Sequence, residues 1–79
     1  PNYIWHILLR AAILGNPERR LTLAGIYEEI GNKFPYYTET PTETWKQSVR
    51  HNLSRLNMFV KIERQAGELG SSSYWTVDL

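Results

Sequence analysis

From Tyr3 to Leu14 apolar side chains are dense enough for a mostly buried helix, and Gly15 with Pro17 supplies a stop and a breaker. In RRLTLAGIYEEIGNKFPYY, Leu23, Ile26, Tyr27 and Ile30 recur at three- and four-residue spacing behind Thr22, a good N-cap. This predicts a second helix over roughly 23 to 33, with Pro35 as the breaker beyond it. The tract TETPTE offers Thr40 as N-cap, Pro41 at the first helical position and Glu43 three residues after the cap, a capping box opening a third helix over about 41 to 56. After Asn57 the pattern becomes that of strands. Phe59, Val60 and Ile62, then Tyr74, Trp75 and Val77, predict a hairpin whose long loop is the polar, glycine-containing ERQAGELGSSS.

Three helices and then a two-stranded ribbon, with LTL adding a short third strand, predict an α+β winged helix: a helix-turn-helix-like core with a small antiparallel sheet and a wing loop. At 79 residues the chain suits one domain, with its aromatics carrying much of the packing.

Wound at about 100° per residue, the third helix gathers Trp45, Val49, Asn52, Leu53 and Leu56 on one core-facing arc. Gln47, Arg50, His51 and Ser54 fall on the opposite side. These side chains suit base edges: arginine forks onto guanine, glutamine pairs with adenine, and histidine or serine gives single hydrogen bonds. Lys46 and Arg55 flank the arc, where they suit phosphates. Amphipathicity alone does not separate DNA reading from a solvated surface helix, which has the same pattern. The charges do more. A solvated face usually mixes signs, whereas no carboxylate lies between Lys46 and Leu56 to pair with the cations there. Phe59 joins the expected core, as do Trp75 and Tyr27; His6 sits at its edge.

The formal net charge is only +1, so position matters more than total. From Thr44 to Ile62 there are Lys46, Arg50, Arg55 and Lys61 and no acid, while Glu18, Glu28, Glu29, Glu39 and Glu43 all precede that window. Without cysteine there is neither a disulfide framework nor a thiolate metal site. The two histidines, His6 and His51, are far apart in sequence and no carboxylates cluster with them, so no metal, cofactor or catalytic residue is expected, and the protein reads as no enzyme. No apolar run approaches the roughly 18 residues of a membrane span, and the first residues lack the features of a signal peptide, so no membrane association is expected. Asn52-Leu53-Ser54 matches an N-glycosylation acceptor formally, but it lies inside a helix packed on the core.

At WKQSVRHNLSRLNMFVKI the sequence resembles the forkhead (Fox) family of winged-helix DNA-binding domains, whose third helix carries W-x-N-S-[IV]-R-H-N-L-S. PERRLTLAGIYEEI is similar to the family's P-E-x-R-L-T-L-x-x-I-Y, KFPYY to its helix-two exit, and FVKI and SYWTVD to the strands flanking its first wing. The resemblance implies sequence-specific binding of double-stranded DNA by a nuclear transcription factor, with the third helix in the major groove of an A-rich, TAAACA-like site. It puts Gln47 and His51 at the main base-reading positions, Arg50 and Ser54 beside them as base or phosphate contacts, and Asn52 in a structural role. It adds Tyr3 and the wing residues Ser72, Ser73 and Trp75 as phosphate contacts.

The departures carry expectations too. Gln47 stands where the family has asparagine, moving the amide outward by a methylene and altering the reading geometry. Arg55 replaces a usual leucine, and ELGSSSYW lacks the lysine of the common G-K-G-S-Y-W wing turn. With the chain ending at Leu79 the second wing is absent or truncated, which implies modest, salt-sensitive affinity. Binding as a monomer is expected, since nothing resembles a heptad seam. The alternative is a winged helix that docks a protein partner or binds nucleic acid non-specifically. Against the first, the Gln47, Arg50, His51, Ser54 arc carries no aromatic or aliphatic anchor; against the second, its side chains suit base edges.

Overall fold

The computed structural model describes residues 2–39, 43–64 and 72–79, apart from the side chains of Asn2 and Tyr3. Helix α1 (Asn2–Leu14) buries Leu9, Ala12 and Ile13. Its last turn closes at Gly15, whose N–H donates to the Ala11 carbonyl at 2.9 Å, and the Asn16 side chain then accepts from the Glu18 N–H. Arg19 turns the chain in a left-handed conformation (φ 59°), fixed in part by the Thr76 hydroxyl donating to its carbonyl at 2.8 Å. The chain enters strand β1 (Leu21–Thr22) and then α2 (Leu23–Lys33). Thr22 caps α2 as its sequence predicts: its hydroxyl accepts from the Gly25 N–H at 3.1 Å, satisfying a donor the helix start would otherwise leave free.

Two boundaries differ from those the sequence predicts. Pro35 does not simply close α2; it opens a further short helix, α3 (Pro35–Glu39), because its missing N–H costs nothing at a first helical position. Buried Gly31 lets α3 lie close to α2, since a Cβ there would come within 2.8 Å of Thr38 Cγ2. The next helix, α4 (Thr44–Arg55), is the fourth among the described residues and shorter than the predicted 41 to 56. Thr40 and Pro41 of the expected capping box lie outside the described residues. Glu43 is the N-cap itself, and its carboxylate pairs with Lys46 ahead of it at 3.1 Å instead of reaching back. At the other end Leu56 is extended (φ −88°, ψ 128°), which turns the chain toward the sheet while its N–H still donates to the Asn52 carbonyl.

Strands β2 (Phe59–Ile62) and β3 (Tyr74–Val77) pair antiparallel as the predicted hairpin, with Phe59 opposite Val77 and Lys61 opposite Trp75. The LTL segment supplies the third strand: β1 pairs antiparallel with β3, giving the order β1-β3-β2. Residues 65–71 of the loop, which include the ELG of the expected wing turn, lie outside the described residues. The core joins Leu9 and Ile13 of α1, Ile26 and Ile30 of α2, Trp45, Val49 and Leu53 of α4, and Phe59 and Val77 of the hairpin. Helix α1 runs through its centre, touching α2, α4 and β3. Trp45 and Phe59 are buried as expected; Tyr27, Leu56 and Trp75 are half-buried and pack against the core from outside.

Candidate nucleic-acid interface

The two sides of α4 divide cleanly. Trp45, Val49, Asn52 and Leu53 are buried, whereas Gln47, Arg50, His51 and Ser54 are exposed. Burying an aliphatic side chain such as Val49 or Leu53 is worth about 1.5–3 kcal/mol, which fixes the rotation of the helix and hence which residues face out. Asn52 is 1% exposed and its Nδ2 donates to the Ser48 carbonyl at 2.8 Å, so its amide is part of the helix packing and has no access to a ligand.

Between α4 and the sheet lies an open cleft of about 370 Å³. Arg50 and Ser54 form its helical wall; Lys61 of β2, with Ser72, Ser73 and Trp75 at the entrance to β3, forms the other; Leu23 and Leu53 also line it. Thus Arg50, Ser54, Ser72, Ser73 and Trp75, expected to act from separate parts of the chain, meet in one concave surface. Gln47 and His51 lie on the same exposed side of α4, outside the cleft lining. Arg55 is exposed in the last turn of α4, where a cation also suits the negative end of the helix. Tyr3 lies in the first turn of α1, and its side chain is outside the described residues.

Lys61 and Leu23 were not among the expected site residues. The signal for Lys61 was the strand alternation that puts it opposite Trp75, on the same side of the sheet. The base of the wing is tied together locally: Ser73 Oγ donates to Glu63 at 3.1 Å, and Arg64 donates to the Ser72 carbonyl and, at 3.2 Å, to the Tyr74 hydroxyl.

Two of the α4 cations have partners the sequence pattern does not indicate. Arg50 Nη1 donates to the Tyr27 hydroxyl at 2.8 Å, and Lys46 lies 5.2 Å from the centre of the Tyr27 ring and 5.7 Å from that of Trp45. Lys46 also pairs with Glu43, three residues earlier. The expectation that these cations lack a carboxylate partner is corrected on that point: the acid sits at the cap, just outside the stretch from Lys46 to Leu56. The pair is exposed on the Glu43 side (74%) and so contributes little to stability, but it competes with any phosphate for Lys46.

Among the described residues no group of three or more His, Asp or Glu side chains could hold a metal ion, and no helix is long and apolar enough to cross a membrane. Helices packed on a three-stranded antiparallel sheet, with one exposed helix face beside the base of a hairpin loop, define a winged helix. The sequence model of the Forkhead domain family matches residues 1–79, and the chain belongs to that family. It is 41% identical over 78 residues to Forkhead box protein I3-A and 42% to Forkhead box protein I3-B, both of Danio rerio, and 40% to Forkhead box protein I1 of Homo sapiens. Each alignment covers 99% of this chain but only 20–22% of the relative, so the chain spans about a fifth of the length of these proteins. The family is one of DNA-binding transcription-factor domains, not of enzymes.

Proposed function

We propose that this domain binds double-stranded DNA sequence-specifically as a monomer, with α4 in the major groove of an A-rich, TAAACA-like site, within a nuclear transcription regulator. The observation that carries the reading is the exposed arc of α4, Gln47, Arg50, His51 and Ser54, standing beside a cleft whose other wall holds Lys61, Ser72, Ser73 and Trp75. The dimensions suit it: the 12 residues of α4 make a rod about 18 Å long, and a major groove about 12 Å wide admits such a helix. In this reading Gln47 and His51 are the main base readers. Arg50 and Ser54 lie beside them as further base or phosphate contacts, and the phosphates on either side fall to Lys46, Arg55 and Tyr3 and to the wing residues Ser72, Ser73 and Trp75. Lys61 joins them from the sheet wall of the cleft.

The test is a selection from a randomised duplex pool, with binding measured at two salt concentrations. Enrichment of an A-rich TAAACA-type core is the expected result. A different enriched motif keeps the DNA-reading role but assigns a new code to Gln47. Absence of any enrichment, with binding lost at modest salt, overturns sequence-specific reading.

A further inference from the structure

Arg50 reaches across to α2, where its Nη1 donates to the Tyr27 hydroxyl at 2.8 Å, a contact between residues 23 positions apart. Tyr27 is itself held. Its ring meets Trp45 edge-on, with centroids 5.6 Å apart at 79°, and Trp45 in turn packs at 5.6 Å on Tyr37 of α3. The helical neighbours of Tyr27, Ile26 and Ile30, are fully within the core. A rigid hydroxyl thus stands beneath a long, otherwise exposed side chain that also lines the cleft between α4 and the sheet.

Part of the cost of recognition by an arginine is lost rotamer freedom, and a guanidinium already tethered at one nitrogen loses less of it on binding. The planar fork keeps further N–H donors for a base or phosphate while Nη1 is engaged. We infer that Tyr27 is a positioning residue for DNA reading: its hydroxyl sets the Arg50 fork before DNA arrives, so a residue of α2 contributes to specificity without touching a base. This rests on the DNA-reading role of α4 proposed above.

Tyr27→Phe removes the hydroxyl and keeps the ring that Trp45 and Lys46 contact. The expected result is a roughly two- to tenfold loss of affinity for the selected duplex, the range for freeing one long side chain, with affinity for random duplex and the melting temperature unchanged. In an Arg50→Ala background the same substitution should then have no further effect, since the group it positions is gone. Unchanged or raised affinity, equal losses on both duplexes, or a loss that persists without Arg50 would each overturn the inference. A second measurement needs no variant: in the free wild-type domain the Arg50 Nη protons should exchange more slowly than those of exposed Arg55, and equal exchange would overturn the tether. The pool selection separates the two levels: without any enriched motif the proposed reading face itself fails, whereas an enriched motif whose preference survives Arg50→Ala overturns only the role of Arg50 and its positioning by Tyr27.

Discussion

Gln47 stands on the exposed side of α4, and against the asparagine of the W-x-N-S pattern that the sequence resembles, one methylene decides how far its amide projects. Both amides pair with adenine, so the chemistry is retained while the depth of approach changes. Gln47→Asn is expected to keep the fold and the TAAACA-type core while changing how strongly adenine is preferred at the base pair facing this position; equal preference from both proteins would show that the extra methylene leaves the reading geometry unaltered. Lys46 behaves differently because Glu43 already holds it at 3.1 Å. Glu43→Gln should raise affinity for every duplex alike, by less than about 1 kcal/mol, and the gain should fade at high salt. Loss of affinity in that variant would mean the pair positions Lys46 instead of competing for it. The exposure of Gln47, Arg50, His51 and Ser54 is legible in the sequence because helical period and apolar arc fix each other. The partners of Arg50 and Lys46 are not: Tyr27 arrives from another helix, and Glu43 sits at a cap whose side-chain choice depends on where the helix begins.

Among the elements, α2 and the hairpin are readable almost to the residue, since Thr22 is a competent cap and Phe59 to Ile62 and Tyr74 to Val77 have strand chemistry. Thr22→Ala should cost about 1 kcal/mol, seen as a lower melting temperature, through the lost bond to the Gly25 N–H. The short α3 is not readable, because proline after a helix is the same letter whether it ends one helix or begins the next. The start of α4 escapes the sequence pattern for a related reason: S/T-x-x-E is a capping signature, yet the glutamate has a lysine three residues ahead and pairs with it. Val49 tests the register of α4 directly. It is fully buried against the core, so Val49→Asp would place an unpaired charge there and should abolish the cooperative melt. A normal melt would mean that the buried and exposed sides of α4 are assigned wrongly.

At the scale of the whole molecule a net charge of +1 gives almost no general attraction to a polyanion, so binding depends on where a few cations lie. Two elements bring them to one side: α4 carries Arg50 to the cleft and β2 carries Lys61 to its opposite wall. Lys61 owes this position to the sheet, since its pairing opposite Trp75 places it on the cleft side while Val60 and Ile62 are exposed on the other. Neutralising a phosphate releases a counterion, so each cation that makes such a contact adds about 0.9 to the slope of log K against log salt. Lys61→Ala is therefore expected to lower affinity for selected and random duplexes by a similar factor and to reduce the salt slope by about one, leaving the enriched motif unchanged. Arg50→Ala, on the facing wall, should reduce the preference for the selected duplex as well. An unchanged slope for Lys61→Ala would put DNA on the α4 side alone, without the sheet wall of the cleft. A changed motif would instead make the sheet a reader, so that α4 would no longer be the whole of the specificity surface.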